Sequence, residues 1–332
     1  MTTLRYLILC ILLLAQLTPA EADYKFDGSP LALVKHGTVS GGIYVDGGHG
    51  CVDEMPYTQS FNVPGDVVYA RIYVGIWGGN PDYTGTVETK VNGQTLGTLN
   101  LAGASDTNPN VMCTGYGVYL VTYNVSQSYF VAGINTVTAT TAGNIDGRLY
   151  GITLVAVYES ENGGGGGEDL PEVEYWINDG HENLNHKTPH DSCITSFSTA
   201  MSTYPDASLF VGYLCGNAGE KDYLYMNGDQ IGAGDVADSM GDTAYNFDLK
   251  TFDVASHFDP SGNTLLFERG DETTVHPFVA VLALRNGTTP APTPTPTPPP
   301  DDTKPDLVIS TIKTPSRVFA EKENTIEVVV RN

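Results

Sequence analysis

An all-β fold of two tandem antiparallel sandwiches, jelly-roll in kind, is what the sequence predicts, on three observations. The 332 residues include 37 Gly, 20 Pro and 19 Tyr but only 16 Lys plus Arg, which leaves little from which to build long charged helices. Apolar residues alternate over residues 67–77. Val68, Ala70, Ile72, Val74 and Ile76 face one way, while Tyr69, Arg71, Tyr73, Gly75 and Trp77 face the other, which is the period of a strand. That strand also occurs twice. The run from Ala70 to Asn80 is answered by the run from Ala207 to Asn217, and each copy proceeds to an Asn-Gly turn, Asn92-Gly93 and Asn227-Gly228. Tyr123-Asn124-Val125 answers to Phe252-Asp253-Val254, Asn135-Thr136-Val137 to Asn263-Thr264-Leu265, and Val155-Ala156-Val157 to Val279-Ala280-Val281. The chain is therefore a duplication, in units of about 115 to 135 residues, each the size of one domain.

Residues 1–22 read as a secretory signal peptide, with Arg5 in a short basic region, a nearly unbroken apolar run over residues 6–14, and Ala20 and Ala22 before Asp23. The apolar run is too short to span a bilayer, and no later segment reaches the roughly 18 apolar residues that spanning requires. The chain is thus expected to be exported to the cell surface without inserting in the membrane itself. The first repeat covers residues 23–160. Its opening, residues 23–40, reads as a lead-in with one edge strand at residues 31–34. In the strand over residues 67–77 the Tyr, Arg and Trp face, if exposed, would be a platform for sugar rings. The second copy has Ser208, Phe210 and Leu214 in place of Arg71, Tyr73 and Trp77, so burial of both faces is the preferred reading.

Hairpins follow in both copies, residues 86–91 with 94–99 and residues 223–226 with 229–231, each across a two-residue turn of type I′. After the loops at residues 102–110 and 233–241, strands are predicted at residues 117–125, 136–140 and 151–158. Their counterparts lie at residues 245–254, 264–268 and 278–284. Short helical turns are expected at residues 126–130 and 255–258. Seven or so short strands per unit, joined by Gly, Asn and Pro, describe a sandwich. A Gly-rich linker at residues 161–170 separates the first repeat from the second, residues 171–286. A Thr/Pro stalk follows at residues 287–304, extended in the polyproline manner.

Net charge is −23, which disfavours nucleic acid and anionic lipid as partners and suits an extracellular surface that attracts cations. Beyond the leader there are four cysteines: Cys51, Cys113, Cys193 and Cys215. In an exported chain an even count points to disulfides. Of the three pairings, Cys51 with Cys113 and Cys193 with Cys215 is preferred, because each bridge would then staple its own repeat. Thiolates on a metal are the competing reading, and no Cys-x-x-Cys pair supports it. Asn124-Val-Ser and Asn286-Gly-Thr are glycan acceptor sequons.

The densest polar cluster holds Asp179, His181, His186 and His190, with three of the seven histidines within ten positions. Carboxylate and imidazole at that density can hold a divalent cation, zinc or calcium, and the plainer reading is a polar surface loop. No Gly-x-Ser-x-Gly elbow and no phosphate loop is present. Glycoside hydrolysis needs a selected carboxylate pair, and 39 acids do not select one. No catalytic residue is predicted.

Two family resemblances add to this. Pro305-Asp306-Leu307-Val308-Ile309, followed by the run from Asn324 to Asn332, resembles the opening strands of CARDB, the cell-adhesion-related immunoglobulin-like module of bacterial and archaeal surface proteins. Residues 305–332 are too few to bury a sandwich core, so an incomplete module of a longer surface protein is expected. The body resembles a domain of unknown function from large exported proteins of methanogenic archaea. The matching residues are Ala70, Val74, Gly75 and Trp77, then Val91-Asn92-Gly93, Tyr123-Asn124-Val125, Gly133 with Asn135, and the run from Leu154 to Tyr158. Both resemblances imply fold and location, and neither carries over a catalytic residue.

The expectation is therefore a non-catalytic surface or adhesion protein that offers loops at residues 102–113 and 178–191 to a cell-envelope protein or polysaccharide. The alternative is a lectin-like carbohydrate-binding module with Tyr83, Tyr116 or Trp176 as stacking faces. Its signature would be two or more aromatics brought together on an exposed face.

Overall fold

A computed structural model of the chain describes residues 27–48, 51–160, 172–188, 190–198, 206–238, 246–286, 308–313 and 327–331. It divides into two compact units, Met1–Gly287 and Thr288–Asn332. The expected signal peptide, the Gly-rich linker and the Thr/Pro stalk fall outside the described residues. No helix among the described residues is long and apolar enough to cross a membrane.

The described structure is built of antiparallel strands, with two 3-10 turns. The first repeat supplies β1 (Gly28–Gly48), β2 (Tyr57–Val63), β3 (Asp66–Trp77), β4 (Thr84–Val91), β5 (Gln94–Leu101), β6 (Val111–Thr114), β7 (Val118–Val125), β8 (Gly133–Asn144) and β9 (Arg148–Glu159). The second supplies β10 (Glu172–Glu182), β11 (Leu184–Asn185), β12 (Ser192–Phe197), β13 (Asp206–Leu214), β14 (Tyr223–Met226), β15 (Asp229–Ile231), β16 (Phe247–Asp253), β17 (Asn263–Glu268) and β18 (Thr274–Asn286). In the second unit β19 (Val308–Lys313) and β20 (Glu327–Arg331) form an antiparallel pair.

Each repeat closes its own core between two sheets. In the first, Phe61, Val87 and Val137 of the sheet β2-β8-β4-β5 meet Ile72, Val74, Val121 and Leu154 of β9-β3-β7. In the second, Phe197, Leu224 and Phe267 of β12-β17-β14-β15 meet Leu209, Val211 and Leu282 of β18-β13. The outer faces of the two large sheets then cover each other in a third core, where Tyr73, Leu120 and Val155 pack with Ile177, Leu214, Phe278 and Val281. Tyr73 and Phe278 lie 5.7 Å apart, tilted by 57°, a favourable aromatic geometry. Arg71 and Tyr73 of that face of β3 are therefore buried, as its degenerate second copy implied, while Tyr69 and Trp77 towards its ends are half-buried.

One strand joins the halves. Residues 28–40 of β1 pair with β10 and residues 41–48 pair with β9, so β1 belongs to both sheets at once. The edge strand expected at residues 31–34 is instead part of a 21-residue central strand. The sequence hides this because the glycines of β1 read as loop. In place they leave room for aromatic rings: a Cβ at Gly37 would lie 2.9 Å from the Tyr175 hydroxyl, and one at Gly42 2.4 Å from that of Tyr158. A second departure sits at the start of β3. A register shift between Val67 and Tyr69 turns Val67 into the first core and leaves Val68 40% exposed, against the simple alternation.

The Asn-Gly turns are formed as predicted, with positive φ at Asn92, Gly93, Asn227 and Gly228. Both are held by a second asparagine. Asn92 Nδ2 donates to Asn135 Oδ1 at 2.8 Å while Asn92 Oδ1 accepts from Thr136 N at 2.9 Å. Asn227 repeats this with Asn263 and Thr264 at 2.8 and 2.9 Å.

Candidate functional site

The four residues of the expected cation site are held apart by their own partners. Asp179 is buried against Arg71 of β3, in an ion pair that crosses from one half to the other. Burial pushes the Asp179 carboxyl up, and the guanidinium opposes the shift. His181 is fully buried, with Nδ1 3.3 Å from the Met112 carbonyl oxygen. A carbonyl only accepts, so Nδ1 carries the proton. His186 Nδ1 meets the Thr273 carbonyl at 2.8 Å and His190 Nδ1 the Asn183 carbonyl at 3.0 Å. Among the described residues no group of three or more His, Cys, Asp or Glu is placed to hold a metal ion. The reason is topological: residues 172–182 are β10, whose side chains alternate between two interiors, and they do not form the exposed loop expected at residues 178–191.

The cysteines are also distributed differently from the within-repeat pairing. Cys113 lies in the first core and Cys193 in the second, while Cys51 and Cys215 lie in the third. No disulfide joins the four among the described residues. Of the sequons, Asn124 stands exposed on β7, where its Oδ1 accepts from Arg71 Nη1 at 2.9 Å, and the side chain of Asn286 falls outside the described residues.

What the structure does gather is a cleft at the seam of the two halves. Its volume is about 270 Å³. The first repeat contributes apolar and aromatic surface: Trp77 at the end of β3, Tyr116 in the turn between β6 and β7, Val118 and Tyr150. The second contributes polar groups: Asn217 just beyond β13, Asn246 before β16, and Thr273, Thr274 and His276 at the start of β18. Tyr116 is 42% exposed, raised on a turn whose glycines Gly115 and Gly117 both take positive φ. The Lys187 ammonium stands 5.0 Å from the centre of its ring.

The polar wall is fixed from behind. Glu272 is buried, and its two carboxyl oxygens accept from Asn217 N at 2.7 Å and Asn217 Nδ2 at 3.0 Å. Burial pushes this carboxyl up to about 8, with the neighbouring Glu220 carboxylate adding to the shift. Thr274 Oγ1 donates to Asn183 Oδ1 at 2.9 Å and lies 3.2 Å from His276 Nε2, whose other ring nitrogen is 3.1 Å from Thr114 Oγ1. Burial, then the adjacent His181, hold His276 well below the usual imidazole range, and burial takes His181 to about 3. Both rings are thus neutral at ordinary pH, and His276 gives the cleft a polar but uncharged wall.

Of the three aromatics named from sequence, Tyr116 alone lines this cleft. Trp176 is buried and stacked on His36 with centroids 4.6 Å apart, and Tyr83 is exposed elsewhere. Trp77, weighed from sequence as part of a sugar platform but expected to be buried, lines it too, and most of the remaining lining escaped sequence reasoning because half of it is supplied by the other repeat. The available signal was the Gly-Asn step that closes each copy of the anchor strand, Gly79-Asn80 and Gly216-Asn217, the second of which reaches the cleft.

Fold and cleft together define a protein of two fused β-sandwiches with an aromatic and amide-lined groove between them. Residues 24–285 match a family described as "Protein of unknown function (DUF3344)", and the chain belongs to that family. No curated protein matches the sequence. Among solved structures, PNGase F, a glycosylasparaginase from Flavobacterium meningosepticum, is similar at 10% identity and a TM-score of 0.26, covering 76% of this chain and 97% of that one. The ANXUR2 extracellular domain from Arabidopsis thaliana is similar at 8% identity and 0.25, over 78% and 90%. The major capsid protein P2 of bacteriophage PM2 is similar at 9% and 0.22, over 74% and 99%. At these scores the likenesses carry no argument about activity.

Proposed function

We propose that the chain is an exported, non-catalytic surface protein that binds carbohydrate in the seam cleft. The observation that carries this reading is the pairing of two chemistries on facing walls. Trp77 and Tyr116 offer the faces on which the apolar side of a sugar ring stacks, while Asn217, Asn246, Thr273 and Thr274 offer amides and hydroxyls for its hydroxyl groups. Bringing Trp77 and Tyr116 into one open groove is the arrangement a lectin-like module calls for. The loop-display reading has less support, since residues 178–185 are buried and the loop at residues 102–110 is folded on itself by Asp106 and Asn108.

The test is a panel of glycans and envelope polysaccharides presented to the body, residues 23–286, with Trp77→Ala and Tyr116→Ala beside it. Saturable binding weakened about tenfold or more by either substitution, roughly 1.4 kcal/mol, is the expected result. Binding that ignores both substitutions would move the site elsewhere, and glycan turnover would make the protein an enzyme. Arms with calcium and with chelator separate a cation-dependent lectin from a cation-independent one.

A further inference from the structure

We propose that Cys51 and Cys215 are the partners of a disulfide that crosses the seam and ties the first sandwich to the second. Cys113 and Cys193 sit in separate cores on opposite sides of the paired large sheets, so neither pairs with a seam cysteine without leaving its own core. Cys51 and Cys215 instead share the third core.

Local geometry brings these two to one side chain. Val52 and Leu149 exchange both backbone hydrogen bonds at 2.9 Å, an antiparallel bridge that sets Cys51 opposite Tyr150. Leu149 points into the first core, so Tyr150 and its opposite number Cys51 turn to the seam. Tyr150 and Cys215 share this core and line the same cleft. Cys215 is held from the other half, its N–H donating to the Asn246 carbonyl at 2.8 Å. Cys51 and Cys215 therefore approach the same residue, Tyr150, from opposite sandwiches.

Cys51 is partly exposed and Cys215 lines the cleft, so an oxidant has a way in. Burial raises both thiols, Cys215 to about 12, while Arg148 beside Cys51 acts in the other direction. Cys51 is thus the sulfur that ionises first. Its thiolate attacks a disulfide oxidant to give a mixed disulfide, and Cys215 then displaces the remaining oxidant sulfur. One Sγ–Sγ bond forms, the oxidant S–S bond is cut to two thiols, and the two cysteine protons pass to those thiols or to solvent.

Peptide mapping of the full chain after exposure to glutathione disulfide tests this without substitution. The expected product is one cross-linked species containing Cys51 and Cys215 that disappears with dithiothreitol. Linkage of Cys51 to Cys113 or of Cys193 to Cys215, or alkylation of Cys51 and Cys215 as thiols after oxidation, would overturn the proposal. As a second readout, dithiothreitol is expected to lower the melting temperature of the oxidised wild type by several degrees and to leave that of Cys51→Ser unchanged. An equal response in both proteins would count against the bridge.

Discussion

Several ionisable side chains are buried on folding, and Glu182, whose Oε2 lies 3.5 Å from His190 Nε2, is the clearest. It is 5% exposed, burial pushes its carboxyl up to about 7, and the Asp27 carboxylate adds to the shift. A carboxyl raised on folding contributes stability that is complete below its unfolded value of 4.5 and is lost as pH rises through about 7. His181 has the opposite sign, since its lowered value withdraws stability as pH falls below 6.5. Glu182→Gln should therefore flatten the alkaline side. Between pH 5 and pH 8.5 wild type is expected to lose about 2 to 3 kcal/mol relative to the variant, read by denaturant unfolding at both values. A variant that tracks wild type would remove Glu182 from the account. None of this was legible in the sequence, where Glu182 is one acid among 39 and its burial is made by β1 laid beside β10.

At the scale of elements, the duplication reaches down to individual hydrogen bonds. Asn135 is fully buried and makes four: its Oδ1 accepts from Asn92 Nδ2 and Val131 N, and its Nδ2 donates to Val131 and Gly133 carbonyls. Asn263 does the same for Asn227, Asp259 N and the Asp259 carbonyl. Each asparagine locks a hairpin turn onto the strand beside it. Asn135→Ala leaves buried donors and carbonyls without partners and is expected to cost about 2 to 3 kcal/mol of stability, with Asn263→Ala similar, measured by urea denaturation. A loss under 0.5 kcal/mol would show that water replaces the clamp. The two turns were legible, because local turn chemistry is written in the residues themselves: a two-residue I′ turn needs positive φ at both positions, which Asn-Gly supplies, whereas the clamping asparagines were visible only as repeat equivalents. β14 and β15 fall where the hairpin pattern put them, and β3 where alternation put it, apart from the bulge at Val68. The long strand was not legible, because Gly37 and Gly42 owe their place in it to rings of Tyr175 and Tyr158 that lie more than a hundred positions away. The cleft was hidden for the same reason, as neither of its walls is a site alone.

For the whole molecule, the third core and β1 make the two sandwiches one body. A protease site introduced in residues 161–171 and cut under native conditions should leave two pieces that elute together, since β1 keeps its ladder with β10 across the break. Separation of the pieces in native buffer on size exclusion would mean that the seam is weak. The same strand has a consequence for how the protein is made. Ser40 and Glu172 are partners more than 130 positions apart, and a chain synthesised from its N-terminus exposes residues 28–40 long before residues 172–182 exist. During that interval the segment is an orphaned template for any neighbouring nascent chain. Pro30, Lys35 and Gly37 within it are poor residues for opportunistic pairing and lessen that exposure until residues 172–182 are translated.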